Sequence, residues 1–346
     1  MADHTRPCAL VILAAGQGTR MNSDLAKVLH PLGAAPLLAH AVAAGTSLDP
    51  ARIVIVTGHQ AQSVETAVAT HAPEAICIRQ GEQLGTGHAV LQAAEALEGF
   101  QGDVIVLYGD TPFIRPETLR AMRAARADHD IVMLGFEAAD PGRYGRLIMD
   151  GDRLSRIVEA KDATPAELEI TLCNSGLLSA DAATLMTLLA EVGNDNASGE
   201  YYLTDVPEIA AAKGLTATAV TCPEAETLGI NTRAELADAE RLFQSARRAG
   251  MQENGVTLVA PETVFLAHDT WIGRDVVIEP HVVFGPGVTV ENNVTIRAFS
   301  HLEGCHLGAR ATVGPYARLR PGAEIGNDAR IGNFVEVKAA EIGDGA

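Results

Sequence analysis

Aromatic side chains are scarce. Phe, Tyr and Trp together make up 4% of the 346 residues, with a single Trp. A core must therefore come from Ala, Val, Leu and Ile, and a hydrophobic content of 47% is ample for a sizeable globular one. Bases are also short: 26 Lys and Arg stand against 44 Asp and Glu, a net charge of −18. That balance argues against nucleic acid or an anionic membrane surface as a partner. The deficit is general, since residues 251–346 hold 12 acids and 7 bases and the rest of the chain is acidic too. An acidic chain that handles phosphates needs a metal ion or a local cluster of Lys and Arg. Cysteine is sparse: five residues are scattered without any Cys-x-x-Cys pair. This excludes a zinc ribbon or a disulfide framework and fits buried thiols in a reducing compartment. The adjacent Cys305 and His306 have no second pair to complete a metal site. No apolar run reaches the ~18 residues that a membrane span needs, and Met-Ala-Asp-His-Thr-Arg-Pro is not a signal peptide. The expectation is a cytoplasmic protein of two domains, with no membrane partner.

What is present centres on residues 8–21. The apolar run Ala9 to Ala15 leads into Gly16 and Gly18. A short apolar run closed by glycine predicts a strand buried on both faces, as in a parallel sheet. The glycines permit a positive-φ turn and bare backbone N–H groups above the strand end. With Arg20 and Lys27 beyond them, those groups suit an anion, most simply nucleotide phosphates. Two common phosphate motifs do not match. The dinucleotide fingerprint lacks its third small residue, because position 21 is Met21, and the strand Ile53 to Val56 ends in Thr57-Gly58-His59 without an acid. Met21-Asn22-Ser23 is not the Gly-Lys-Ser/Thr of a Walker loop. Taken alone, the turn is equally compatible with no ligand.

Further stretches add to it. Helices are expected over 36–44, 62–70, 88–96, 116–127, 185–191 and 206–213, alternating with strands at 53–57, 75–78, 104–108 and 131–136, which implies a parallel sheet. Gln80 to His88 contains Gly81, Gly85 and Gly87 and reads as a second close approach of backbone to a ligand. His88 is read as a polar residue at a helix N-terminus rather than a catalyst. The strand from Val104 ends in Tyr108-Gly109-Asp110. Ligands of open α/β sheets sit at the carboxyl ends of strands, so Asp110 is placed to hold Mg²⁺ against a triphosphate; capping the turn before Pro112 is the competing role. Tyr144-Gly145-Arg146 precedes a hairpin with Asp150-Gly151 as its turn. Glu159 and the stretch Cys173-Asn174-Ser175-Gly176 lie on strand edges, either solvated or binding a sugar's hydroxyls and amide. Thr232 and Glu235 form a capping-box signature for a helix running to about Arg248, with Gly250 as its stop.

From Ile272 the period changes to six. Ile272, Ile278, Phe284, Val290, Ile296 and Leu302 recur at that step, one step of five reaches Leu307, and Val313, Leu319, Ile325, Ile331 and Val337 resume it. Such a register predicts a parallel β-helix with the aliphatic residues stacked inside, three hexapeptides per coil and roughly four coils. The register still runs at Ala346, so the expectation is either an oligomer interface or a chain shortened within this domain.

These pieces together resemble the bacterial bifunctional N-acetylglucosamine-1-phosphate uridylyltransferase/glucosamine-1-phosphate N-acetyltransferase family. The resemblance rests on Leu13-Ala-Ala-Gly-Gln-Gly-Thr-Arg-Met21, Lys27, Gln80, Leu84-Gly-Thr-Gly87, Tyr108-Gly-Asp110, Tyr144-Gly-Arg146, Glu159, Asn174 and the hexapeptide tail. It implies a Rossmann-like nucleotidyltransferase domain with a mostly parallel sheet (1–231), a linker helix (232–250) and a left-handed parallel β-helix (251–346). It implies Mg²⁺-dependent transfer of UMP from UTP to N-acetylglucosamine 1-phosphate, giving UDP-N-acetylglucosamine and pyrophosphate. By the same resemblance, Leu13, Ala14, Ala15, Gly16, Gln80, Gly85 and Thr86 hold the uridine. Arg20 and Lys27 neutralise phosphates, Tyr108 and Gly109 line the site, Asp110 and Asn231 hold Mg²⁺, and Gly145, Glu159 and Asn174 hold the sugar. Arg320 and Lys338 match residues that bind the amino-sugar phosphate of the acetyltransferase. Its catalytic His and acetyl-CoA site are expected beyond Ala346, so acetyl transfer is expected to be absent from this chain and acetyl-CoA to be a partner only of the full-length enzyme. A homotrimer is also implied. Two other readings stand beside this one: a nucleotidyltransferase for another sugar 1-phosphate, and a nucleotide-sugar sensor without turnover.

Overall fold

The structure, a computed structural model, describes residues 6–346. It divides into two compact units, one ending at Thr232 and the other comprising Pro31–Ala35 with Arg233–Ala346.

In the first unit, strand β1 (Cys8–Ala14) is buried at every position, as expected of a strand covered on both faces. Next in chain order come β2 (Arg52–Thr57), β3 (Ile76–Arg79), β4 (Asp103–Tyr108), β5 (Ile131–Glu137), the hairpin β6 (Arg146–Asp150) and β7 (Arg153–Val158), β8 (Leu172–Asp181) and β9 (Ala217–Thr221). The main sheet runs β9-β5-β8-β4-β1-β2-β3, and the hairpin attaches to β8. β1 pairs in parallel with β2 and β4, with Leu13 opposite Val56 on one side and Tyr108 on the other. Three carboxyl ends therefore line up. β8 is antiparallel to β4 and β5, and its register against β5 breaks between Asn174 and Leu178. Ala9, Val11 and Leu13 pack into one apolar layer with Val90, Leu185 and Val206, whereas Leu10, Ile12 and Ala14 face another with Leu38, Val64 and Leu119. Full burial of each such aliphatic side chain is worth about 1.5–3 kcal/mol, and the two layers hold the strand ends rigid.

Helices flank the sheet: α1 (Leu37–Thr46), α2 (Ala61–His71), α3 (Thr86–Leu91), α4 (Pro116–Ala125), α5 (Ala182–Leu189) and α6 (Val206–Ala212). α3 begins two residues ahead of the expected start and passes into a 3₁₀ segment, Gln92–Leu97, so His88 lies inside the helix. All five cysteines are free thiols.

The second unit opens with α7 (Arg233–Glu253). Gly250 does not stop it. The helix continues because Met251 is buried in the β-helix core, and that burial outweighs the ~1 kcal/mol that a glycine costs inside a helix. The stop is Gly255 at φ 88°, after which the Val256 N–H returns to the Met251 carbonyl at 3.0 Å. Pro31–Ala35 belongs to this unit although it lies far back in the chain. Gly33 gives its N–H to Glu240 Oε2 at 2.9 Å, and a Cβ there would lie 2.2 Å from the Phe243 ring. No periodic signal marks such an excursion.

The hexapeptide register holds throughout. Two- and three-residue strands stack into three parallel sheets of five, five and four strands, which makes a parallel β-helix. The inward aliphatic positions are buried from Ile272 to Val337. The five-residue step lets Val290 pair with Leu307 and shortens that coil by one residue without losing the stack. One corner carries His281, Phe299, Tyr316 and Phe334, all at positive φ, with rings stacked at 4.8, 5.0 and 5.1 Å between centroids.

Candidate active site

The carboxyl ends of β1, β3 and β4 open onto one cleft in the first unit. Gly109 gives its N–H to the Leu13 carbonyl at 2.9 Å, which carries the β4 end alongside the β1 end. The two glycines after β1 have different roles. Gly16 has no atom within 4 Å of the place a Cβ would take, so it leaves the strand end open. Gly18 alone has positive φ, at 61°, and a Cβ there would lie 2.6 Å from Lys27 Cβ. Gly18 thus admits the stem of Lys27.

Lys27 leads to the charged cluster. Its ammonium pairs with Asp110 Oδ2 and donates to Asn231 Oδ1 at 3.1 Å, and Arg20 Nη2 donates to the same Asn231 oxygen at 2.9 Å. The Ile230 N–H bonds the Asp110 carbonyl at 3.0 Å, which ties residues 229–231 to the β4 end. Residues from three distant stretches of the chain are thus brought together. The turn after Asp110 is closed by Thr111, whose hydroxyl donates to the Tyr108 carbonyl at 2.9 Å, so Asp110 is not consumed as a cap.

The cleft has two lobes. The first, of about 310 Å³, is lined by Leu13 to Gly16, Lys27, Gln80, Gly85, Thr86, Tyr108 and Asp110. The second, of about 660 Å³, is lined by Gly145, Glu159, Asn174, Gly176 and neighbours, and it shares Thr86, Tyr108 and Glu200 with the first. Tyr108 forms the common wall. Gly176, at φ 91°, makes room for it, since a Cβ there would meet the ring at 2.8 Å. Burial, then the nearby Asp110, pushes the Tyr108 hydroxyl well above the usual phenol range, so it stays a neutral donor.

The second lobe is built on the β8 irregularity. Asn174 is 8% exposed; its N–H bonds the Gly145 carbonyl at 2.8 Å and its Oδ1 accepts from Gly176 N–H at 3.0 Å. Glu159 Oε1 accepts from the Thr204 hydroxyl at 3.2 Å. Burial raises the Glu159 carboxyl; the Thr204 hydrogen bond opposes this, and Asp162 adds to it. Asp205 is pushed up to about 6 by burial and by Glu208, Glu159 and Asp162. The Arg146 guanidinium, 2% exposed, bonds the carbonyls of Pro141, Gly142 and Tyr144, which shapes the loop that presents Gly145.

Residues 80–88 only partly follow the sequence expectation. Gly85, at φ 113°, and Gly87 are needed where the loop crosses the backbone of Tyr201, whose O would lie 2.6 Å from a Gly85 Cβ. Gly81 is exposed and meets nothing. The sequence reading also missed Gln83, whose amide donates to the Ala15 carbonyl at 2.7 Å, and Glu200, Tyr202 and Thr204 in the second lobe. Their one signal was the polar and aromatic stretch 199–205, which reads as a helix start.

A metal would find oxygen donors at Asp110 and Asn231, held about one ammonium group, with open space towards the first lobe. Two oxygens from the protein with the rest from phosphates is the donor set that suits Mg²⁺. Among the described residues no group of three or more His, Cys, Asp and Glu is placed to hold an ion. In the second unit, Arg320 donates to Glu336 Oε1 at 2.9 Å, and the strand register carries it beside the exposed Lys338. No described helix is long and apolar enough to cross a membrane.

Residues 10–168 match the MobA-like NTP transferase domain family, and residues 269–304 and 304–339 match the bacterial transferase hexapeptide family of six repeats. The chain is 70% identical to the bifunctional protein GlmU of Jannaschia sp. (strain CCS1), over 99% of its own length and 75% of that protein. It is 66% identical to that of Ruegeria sp. (strain TM1040), over 98% and 75%, and 60% identical to that of Paracoccus denitrificans (strain Pd 1222), over 99% and 76%. Among solved structures, a UDP-glucose pyrophosphorylase complexed with UDP-glucose superposes with a TM-score of 0.57 at 20% identity, covering 70% of this chain and all of the other. An inositol-1-phosphate CTP transferase from T. maritima does so at 0.54 and 16%, covering 68% and 94%. These two likenesses bear on the fold alone.

Proposed function

The chain belongs to the family of the bifunctional GlmU proteins, and on that premise we propose how its residues divide the work. It is a UDP-N-acetylglucosamine pyrophosphorylase that transfers UMP from UTP to N-acetylglucosamine 1-phosphate; its hexapeptide unit corresponds to the acetyltransferase half of the family. The observation that carries the reading is the two-lobed cleft with a cationic cluster at the head of its first lobe. The uridine lies in the first lobe, against Leu13, Ala14, Ala15, Gly16, Gln80, Gly85 and Thr86. The sugar lies in the second, with its hydroxyls and acetamide on Gly145, Glu159 and Asn174. The shared wall of Tyr108 sets the α-phosphorus between them.

A phosphate oxygen of the sugar 1-phosphate attacks the α-phosphorus, and pyrophosphate leaves in line. The nucleophile is already an anion, so no side chain need take a proton. Arg20 and Lys27 stabilise the negative charge spread over the phosphates. Nucleotidyltransferases of this family generally use a divalent metal. We assign Mg²⁺, held by Asp110 and Asn231, which when bound offsets charge on the triphosphate. Lys27, paired with Asp110 in the free protein, moves onto the phosphates. In the second unit, Arg320 and Lys338 receive the phosphate of the amino sugar, with Glu336 as the group it displaces. We place the enzyme in the cytoplasm, as a homotrimer.

Pyrophosphate release from UTP with N-acetylglucosamine 1-phosphate, measured beside glucose 1-phosphate, tests the assignment. A preference for glucose 1-phosphate would transfer it to another sugar. No release with any sugar phosphate would leave a nucleotide-sugar sensor.

A further inference from the structure

His88 lies outside the cleft lining, yet it touches a residue that lines it. Gln80 follows β3, is 6% exposed, and is fixed by its backbone N–H on the Thr57 carbonyl at 2.7 Å. Its side-chain Nε2 donates to the Gly85 carbonyl at 3.3 Å and lies 3.0 Å from His88 Nδ1. A carbonyl only accepts, so the nitrogen end of the amide faces α3. On the other side of the ring, Gln92 Nε2 lies 3.2 Å from His88 Nε2 and also donates to the His88 carbonyl at 3.1 Å. A neutral imidazole has one acceptor nitrogen, so it satisfies only one of the two amides. Gln92 is half-exposed and can give its second hydrogen to water, whereas Gln80 is 6% exposed and, among the described residues, its Nε2 has only the Gly85 carbonyl and His88 Nδ1 to receive its two hydrogens. Nδ1 is therefore the acceptor, and the ring proton sits on Nε2.

This leaves Gln80 Oε1 as the open end of the amide. It accepts no hydrogen bond from any described residue, it is not sealed from solvent, and Gln80 lines the first lobe. An acceptor fixed opposite ring position 3 favours a base that donates at that position rather than at the neighbouring position 4. Uracil presents N3–H, whereas cytosine presents a bare N3 that repels an oxygen. We propose that His88 is a positioning and specificity residue: by accepting from Gln80 Nε2 it locks the amide with its oxygen outward and makes the first lobe select uracil over cytosine nucleotides. The inference rests on the placement of the base against Gln80.

The test compares kcat/KM for UTP and for CTP, each with N-acetylglucosamine 1-phosphate, in wild type and in Gln80→Ala, His88→Phe, His88→Asn and the double variant Gln80→Ala/His88→Phe. His88→Phe removes the acceptor and frees the amide to turn. Loss of one oriented hydrogen bond should cut the UTP-over-CTP ratio about tenfold, mainly through KM. His88→Asn keeps an acceptor oxygen close to the position of Nδ1 and should restore the ratio. In the Gln80→Ala background the His88 change should add nothing. If His88→Phe does not fold, as read by thermal melting, His88→Ala carries the same expectation without added bulk. An unchanged ratio in the His88 variants, with a collapsed ratio in Gln80→Ala, would overturn the role of His88 alone. So would an Asn variant that behaves like Phe. An unchanged ratio and UTP KM in Gln80→Ala would instead remove the base from Gln80, and with it the premise.

Discussion

Lys27 sits where two demands meet. Its ammonium neutralises Asp110 and, with Arg20, crowds onto Asn231 Oδ1. Replacing Asp110 with Ala takes away one of the two proposed metal oxygens and leaves Lys27 unopposed. Turnover should fall by about 10²–10³-fold or more, the range for loss of one preorganised electrostatic group, while the melting temperature stays near that of the parent. Near-normal turnover at ordinary Mg²⁺ would show that the metal lies elsewhere. Asn174 should separate the two substrates. A buried amide built for one partner rejects analogues that lack it, so Asn174→Ala should raise KM for N-acetylglucosamine 1-phosphate far more than for UTP. Steady-state kinetics with each substrate varied decides this, and equal effects would remove the sugar assignment. Asp205 offers a test in pH. Its pKa, about 6 in the fold against 3.8 in the open chain, means that the folded state holds its proton longer. The stabilisation it gives is therefore full below pH 3.8 and is lost as pH rises through about 6. The full shift would be worth roughly 3 kcal/mol, and solvent screening of this half-exposed group reduces it, so Asp205→Asn should gain on the order of 1–2 kcal/mol at pH 7.5 and little at pH 4. Melting curves at the two pH values check it; an equal gain at both would assign the effect to packing.

At the scale of elements, each glycine matters through what lies opposite it. Gly18 combines a left-handed backbone with a would-be Cβ at 2.6 Å from Lys27 Cβ. Ala there meets a conformational penalty of roughly 1–2 kcal/mol and pushes the lysine stem aside. Gly18→Ala should lower kcat at least tenfold (about 1.4 kcal/mol in the barrier), whereas Gly16→Ala, with nothing near, should leave the fold unstrained. If Gly18→Ala turns over like the parent, the turn does not set Lys27. Gly250 and Gly255 make the same contrast in α7. The helix runs through the first because Met251 behind it is buried, and it ends at the second because only there does the chain turn left-handed. Helix continuation is thus decided by a contact one residue further on.

For the whole molecule, the two units differ in how they hold together. The first has a sheet covered on both faces. The β-helix keeps its aliphatic stack inside but leaves Val259, Phe265 and Trp271 more than 40% exposed. Exposed apolar groups on a narrow solenoid favour self-association, which is compatible with the trimer we propose. Sedimentation equilibrium at micromolar concentration should give three times 36.3 kDa, and a monomer would count against it.

Features that depend on local period and composition are legible in the chain alone. The apolar run before Gly16 marks a doubly covered strand, and six-residue steps from Ile272 to Val337 define a solenoid register, because a repeat that must bury one residue per hexapeptide is written directly in the chain. The family resemblance names Lys27, Asp110, Glu159, Asn174 and Asn231 as candidates from the chain alone. What those residues meet depends on how distant stretches pack. That Lys27, Arg20, Asp110 and Asn231 share one cluster depends on β1 and β4 pairing in parallel and on Ile230 bonding back to Asp110. That Gly85 and Gly87 serve the crossing with Tyr201, that Gly33 is folded against Phe243, and that Gln80 is held from behind by His88 follow from long-range approach. Such contacts leave no periodic trace, because steric exclusion and hydrogen bonding act between atoms close in space whatever their separation along the chain.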